Sequence, residues 1–385
     1  MPKAIFSIVK ISYIGVILGL FLYSYTQVDL NLTLSQWSIW QNIQKSFQYI
    51  GWFQRPLSTA LYVGILVLLF LFYGLFLYAV KKKLFSLKAF WILIGSVTFV
   101  LAFSYNAFSY DLFNYMFDAR IVTFHAQNPY EHKALDYPYD PWINFMRWTH
   151  RVYPYGPVWL GLTTPLSFIG FQAFLPTLFL FKALSSASFL LSVWCIGKIA
   201  SLINKDRLFA MALFALNPLV LIEGIVSSHN DIVMMAFGLL SIYFFLENHL
   251  TRSIVFLALS IGVKFATALL LPIYLYGWYT KRTNKSLFLL LCLIFMISAV
   301  VIATIRTNFQ PWYLLNVFPL LSLFADKKAI LFSYVVFSVF ALSQYIPFLY
   351  TGNWNPPIPT ILFWLTIIPT AVSLFAILVY RKTTA

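Results

Sequence analysis

The sequence predicts an all-α fold, a polytopic bundle of about 10–12 membrane helices, some of them short or broken. Three observations predict it. Of the 385 residues, 61% are hydrophobic and only 10% charged. Apolar runs of about 20 residues, the length that crosses a hydrocarbon core, recur along the chain. The Lys and Arg residues sit in short loops between those runs, the pattern that fixes membrane orientation. Lipid cannot satisfy free backbone amides, so the runs must be helical. The formal charge of +15 is therefore read as an orientation signal, and nucleic-acid binding is set aside. Cys195 and Cys292 lie inside apolar runs, which argues against a disulfide or a thiolate metal site. No soluble domain, low-complexity tail or clear internal repeat interrupts residues 1–385, read as a single integral membrane domain of a multi-pass cell-membrane protein.

The elements follow in order. Residues 7–25, after Lys3 and Lys10, lack a small-x-small cleavage site and are an uncleaved first span running outward. The loop 27–56, with Trp37, Trp40, Phe47, Trp52 and Phe53, is amphipathic and expected partly in the outer interface. Residues 58–80 return to Lys81–Lys83 and Lys88, the strongest cytoplasmic mark, and 89–108 lead out again, placing the polar segment 109–156 outside. Pro157–Ile169 is too short to span comfortably and is expected along the surface; if it spans instead, residues 228–231 move to the cytoplasmic side. Residues 172–198 run inward to Lys198, Lys205 and Arg207, 208–225 run outward, and 232–247 return to Arg252. Lys281, Arg282 and Lys285 also read as cytoplasmic, so 253–279 should enter and leave on one side as two short helices broken near Gly262-Val263-Lys264. Residues 286–305 run out to Arg306, 311–325 return to Asp326-Lys327-Lys328, and 329–348 with 358–380 close the C-terminal helices of 311–385 at Arg381-Lys382.

Chemistry is expected in 109–156. Five of the chain's eleven acids (Asp111, Asp118, Glu131, Asp136, Asp140) and three of its five histidines (His125, His132, His150) lie there. In a helix starting after Ser109, positions 111, 115 and 118 share a face, so Asp111, Tyr115 and Asp118 would address one cavity. A carboxylate there can deprotonate a hydroxyl; the alternative is that Asp111 caps the helix and Asp118 pairs with Arg120. The histidines have no zinc-like spacing and read as loop residues. Tyr110, Tyr115, Tyr130 and Trp142 offer faces for a sugar, although interfacial aromatics need no ligand.

Asp111 with Tyr115, then Asn128-Pro129-Tyr130, then Tyr155-Gly156-Pro157 opening an apolar helix, resembles the GT-C membrane glycosyltransferases, especially bacterial polyprenyl-phosphate-mannose-dependent α-mannosyltransferases. Leu216-Asn217-Pro218 with His229-Asn230-Asp231, Val263-Lys264-Phe265 before Leu271-Pro272, and Gln310-Pro311-Trp312-Tyr313 continue the resemblance in order, over about residues 100–320. The sequence departs from the pattern at Ser228, where glycine or alanine is expected, and residues 27–56 match nothing in it.

The resemblance implies transfer of a hexose, with mannose as the family-level expectation, from a polyprenyl-phosphate donor to a hydroxyl of a glycan or lipid-linked acceptor on the outer face, with Asp111 as general base. Such a transfer needs a carboxylate at the acceptor and cations at the departing phosphate. Arg306, just beyond a span, is the first candidate for that phosphate, with interfacial anchoring as its alternative. Lys264, in an apolar run, is either a second phosphate ligand or the partner of a buried acid such as Glu223. Lys182 matches no motif and is expected to snorkel. His229, Asn230 and Asp231 are substrate-binding candidates with Tyr115, Asp118 and Tyr130. Asp231 either completes the cavity, caps a helix, or joins Asp111 and Asp118 around a divalent cation such as Mg or Mn. A transporter or lipid flippase is the second functional reading, since it too would place Lys264 and Glu223 within the membrane. A structural scaffold is the third, but it leaves the acid-rich loop without purpose.

Overall fold

The computed structural model describes residues 3–280 and 284–383, and among them no strand occurs; one isolated antiparallel bridge joins Lys133 to Val152. Lys281 and Arg282, read above as cytoplasmic marks, lie outside the described residues. Helices α1 (Lys3–Thr26), α2 (Ser38–Gln48), α3 (Arg55–Lys81), α4 (Leu87–Ala102) and α5 (Asp111–Thr123) lead through the polar segment to α6 (Pro157–Ile169) and α7 (Phe174–Leu202). Next come α8 (Arg207–Ala215), α9 (Pro218–Leu221), α10 (Asp231–Leu246), α11 (Leu250–Val263), α12 (Leu271–Thr280) and α13 (Lys285–Thr307). Short α14 (Phe318–Leu321), then α15 (Lys328–Ser343), α16 (Tyr345–Thr351) and α17 (Ile358–Thr383) complete the chain. Six helical segments are long and apolar enough to cross a membrane, seven if the bent α8–α9 pair counts as one, and five apolar helices are shorter.

The bundle has two chemically different ends. Helices α1 and α3 run antiparallel: Phe6 meets Phe76 at one end, and the Tyr23 hydroxyl lies 3.1 Å from that of Ser58 at the other. At the first end Lys81 caps the Phe209 ring and Lys205 pairs with Asp326 at 2.5 Å, so the basic loops converge. At the second, the Tyr110 hydroxyl donates to Asp29 and Phe108 packs on Tyr62, so the polar segment begins there. Helix α10, almost wholly buried, packs between α7 and α11.

Several expectations are corrected. Residues 208–225 form a pair of helices bent by 59° at a break, not one straight helix. Pro218 lacks an N–H, and the Asn217 side chain, accepting from the amides of Leu219 and Val220, starts a new helix there. After Leu221 the chain widens into a π turn, Ile222–Val226. Residues 311–325 are not a continuous helix but the buried 3₁₀ turn Pro311–Asn316, α14 and a further turn, broken up by Pro311 and Pro319. Lys182 does not snorkel: it is fully buried, and its Nζ donates at 2.8 Å to the carbonyls of both Ile225 and Val226, which the π turn frees. In the loop 27–56, α2 turns its glutamines inward, Gln44 and Gln48 bonding the backbone of Leu32 and Asp29, and leaves Trp37, Ile39 and Ile43 exposed. That arrangement suits an interface. The break foreseen near Gly262-Val263-Lys264 is present, with Lys264 in extended backbone between α11 and the 3₁₀ turn Phe265–Leu270.

Candidate active site

The site is assembled where four chain breaks meet at the polar end. The first is the start of α5: the amide of Asp111 donates to Ser109 Oγ at 3.2 Å, and the carboxylate projects from the first turn without capping it. Tyr115, one turn on, is buried with its hydroxyl 3.4 Å from Asn230 Oδ1 and its ring edge-on to Tyr155 and Trp159. The second is the passage from the π turn to α10. There Ser228 takes a positive φ of 51°, the left-handed region in which glycine is most comfortable. Its hydroxyl offsets part of the strain by donating to Ile225 O at 2.8 Å. The resemblance expects glycine or alanine at this position, and the positive φ gives the reason glycine suits it.

The third is the break at Lys264, and the fourth is Gln310-Pro311-Trp312-Tyr313. A side chain on Gly156 would strike the Gly262 carbonyl and one on Gly262 would strike Val158, and the Gly156 amide donates to Val263 O at 3.3 Å. That contact ties the Tyr-Gly-Pro motif to Lys264. Lys264 Nζ lies 2.8 Å from Asp231 Oδ2 and 5.9 Å from the Tyr313 ring centre. Its acid partner is therefore Asp231, not Glu223 as the sequence suggested, because α10 and α11 pack side by side with those two residues at the same end.

His229 is the centre of the arrangement. Its Nδ1 lies 3.5 Å from Asp111 Oδ2 and its Nε2 lies 3.3 Å from Glu223 Oε2; both are within ion-pair range, though neither is aligned as a hydrogen bond. The Trp312 indole stacks on the imidazole at 4.1 Å and 15°. Glu223, fully buried, accepts from the Tyr345 hydroxyl at 2.8 Å. Burial opposes ionisation of Asp111, but His229, then Lys264 and Arg151, outweigh it and hold the carboxyl below the usual range. Burial likewise opposes charging His229, and the two carboxylates overcome it, raising the imidazole to about 9. Asp118, half-buried on the same helix face, is pushed up by burial to about 8 against the pull of Arg151. The surroundings thus favour the ionised form of Asp111, the cationic form of His229 and the protonated form of Asp118.

Asp111, Tyr115, His229, Asn230, Asp231 and Lys264 are brought together. Asp118 joins them through the shared field of Arg151. Tyr130 is at the rim, 42% exposed, with its hydroxyl donating to Tyr155 O at 3.2 Å. Arg306 is exposed in the last turn of α13, and its neighbour Thr307 bonds the Tyr313 hydroxyl at 2.7 Å. Asp118 does not pair with Arg120. That guanidinium is held by Asp140, Nε to Oδ2 at 2.7 Å, and by Gln172 O, while His125 also meets Asp140 Oδ2 at 3.0 Å. Sequence reasoning gave no role to Tyr345 or Arg151, marked Trp312 only as part of a motif, and led to the expectation that Lys182 snorkels. Only an acid inside an apolar run, Glu223, signalled that buried partners must exist.

Among the described residues, no group of three or more His, Cys, Asp or Glu side chains is disposed to hold a metal ion. Asp111, Asp118 and Asp231 do not converge as expected of a Mg or Mn site: Asp231 is taken by an ammonium and Asp111 faces an imidazole. No step is derived through a divalent ion.

An all-α membrane bundle with an ionised carboxylate and flanking cations at the mouth of a broken-helix cluster is the arrangement expected of a GT-C glycosyltransferase. The chain belongs to the family described as alpha-(1->6)-mannopyranosyltransferase, N-terminal domain, matching it over residues 17–280, more than half its length. It is thus a membrane mannosyltransferase of the GT-C type, and the transporter reading falls away. No curated protein and no solved structure matches it.

Proposed function

We propose that the enzyme transfers mannose from a polyprenyl-phosphate donor to a hydroxyl of a glycan or lipid-linked acceptor on the outer face of the cell membrane, forming an α-(1→6) linkage as the family description indicates. The observation that carries this reading is a part-exposed Asp111 beside His229 and within the field of Lys264, the cation that Asp231 holds in the same cluster. Asp111 takes the proton of the acceptor hydroxyl as that oxygen bonds the anomeric carbon. The bond from that carbon to the phosphate oxygen breaks, and the lipid phosphate leaves as an anion. Lys264 is the phosphate's nearer cation and Arg306 its outer one, where a planar guanidinium fork suits phosphate oxygens. Asp118, Tyr115, Asn230 and Tyr130 line the sugar's approach. Convergence of the basic loops at the opposite end of the bundle supports the outward placement of this cluster.

The test is incubation of the purified chain with radiolabelled polyprenyl-phosphate mannose and, separately, nucleotide-linked mannose. Transfer from the lipid donor alone is expected. Transfer from the nucleotide donor alone overturns the donor assignment, and labelling that places introduced cysteines of 109–156 in the cytoplasm overturns the outer-face assignment.

A further inference from the structure

Glu223 is the only acid between Asp206 and Asp231, and everything around it from Leu219 to Val226 is buried. A carboxylate in such surroundings must be compensated, and its two oxygens are engaged differently. Oε1 accepts from Tyr345, fixing the carboxylate plane, while Oε2 faces Nε2 of His229. The far nitrogen of the same ring faces Oδ2 of Asp111. A neutral imidazole has one donor and one acceptor nitrogen, so it cannot offer a proton to both carboxylates; an imidazolium can. The stacked Trp312 presents an electron-rich face to that cation.

We propose that Glu223 is a positioning residue for the transfer: through His229, kept as an imidazolium between two carboxylates, it fixes Oδ2 of Asp111 and leaves Oδ1 to receive the acceptor hydroxyl. This rests on the reading of Asp111 as base. Oδ1 has no hydrogen-bond partner among the described residues. His229 already holds both its protons, so it takes none during transfer; the acceptor proton stays on Asp111 until product departs. The charged and titratable groups facing His229 are Asp111 from α5 and Glu223 from the π turn, with Tyr345 of α16 behind Glu223. Lys264, paired with Asp231 at the ends of α11 and α10, acts on Asp111 as well.

The inference is tested on the full chain by two readouts. The first is the pH profile of kcat. In the wild type its alkaline limb should follow His229 at about pH 9. Glu223→Gln keeps the bond from Tyr345 but removes the charge, so the limb should move down by about one unit or more. At pH 9 that is about a fivefold loss, with KM little changed, whereas Glu223→Asp should keep the limb near its wild-type position. The second readout is ¹⁵N NMR of the histidines, with His229→Gln identifying the signal. The wild-type ring should remain an imidazolium at pH 8, and Glu223→Gln should leave about half of it or more neutral there. NMR needs no substrate, so it stands even if the donor assignment fails. A wild-type His229 titrating near the ordinary histidine value overturns the proposal whether or not the variants fold. So does a Glu223→Gln enzyme whose limb and NMR titration match the wild type.

Discussion

Asp140 and Asp111 belong to one polar segment and each faces a histidine, yet they have opposite surroundings. Asp140 is saturated: Oδ2 receives Arg120 at 2.7 Å and His125 at 3.0 Å, and Oδ1 receives the Trp142 amide at 3.0 Å. Tyr137 stacks on His125 at 3.8 Å, and the Arg120 guanidinium lies over the Phe124 and Trp142 rings. Both oxygens are engaged and the side chain is buried, so this network locks the loop. Asp111 is under-used: its side chain meets only His229, at 3.5 Å through Oδ2, it is 14% exposed, and the cations around it favour its ionised form. Identical residue types thus build a lock where both oxygens are engaged and a reactive group where one is kept open.

Four experiments break or sharpen that contrast, in descending order of expected effect. Asp111→Asn should reduce transfer by about 10²–10⁴-fold with the fold intact, because the near-isosteric amide lacks basicity. A well-folded variant keeping more than a tenth of wild-type turnover would sink Asp111 as base. Asp140→Ala should do the reverse. It strands a buried guanidinium, a loss of about 3–5 kcal/mol to the loop, read as faster proteolysis of 109–156 and a lower thermal midpoint in detergent, with turnover per folded molecule nearly kept. Equal losses of activity in the two variants would erase the distinction. Arg306→Lys should weaken donor binding about three- to tenfold while leaving detergent stability alone, and Arg306→Ala more so. Unchanged binding of a polyprenyl-phosphate donor in both would make Arg306 an anchor and leave Lys264 the phosphate's main ligand. The smallest effect concerns Asp118. With its folded value raised to about 8 and its unfolded value near 4, the native state binds the extra proton between those limits. Stability from this group is therefore full below about pH 4 and falls as pH rises through about 8. Asp118→Asn should flatten that slope in thermal midpoints; an unaltered slope would show that Asp118 titrates normally.

Local pattern made much of this readable. The apolar runs announced the helices, the polar Gly-Val-Lys in an apolar stretch announced the break at Lys264, and period-3.6 spacing put Asp111, Tyr115 and Asp118 on one face. Pairings between distant positions were not readable, because periodicity carries no information about which helices become neighbours. Lys264 was offered Glu223 and took Asp231; Arg120 was offered Asp118 and took Asp140, twenty residues on. Run length also hid the irregular segments. Residues 208–225 and 311–325 are apolar enough to span, and only the prolines and Asn217 marked where the helix stops.

Lys182 imposes an order on biosynthesis. Helix α7 leaves the ribosome before Ile225 and Val226 exist, so its ammonium enters the bilayer with no carbonyls to bond and carries a handicap of about 2.5–3.5 kcal/mol. That handicap is relieved when α8, α9 and the π turn arrive and offer the two carbonyls at 2.8 Å. The segment that completes the active site is also the one that lets α7 settle. Insertion of α7 in chains truncated at successive lengths should therefore rise as the end passes Val226, and Lys182→Met should insert early, without waiting for the site to form.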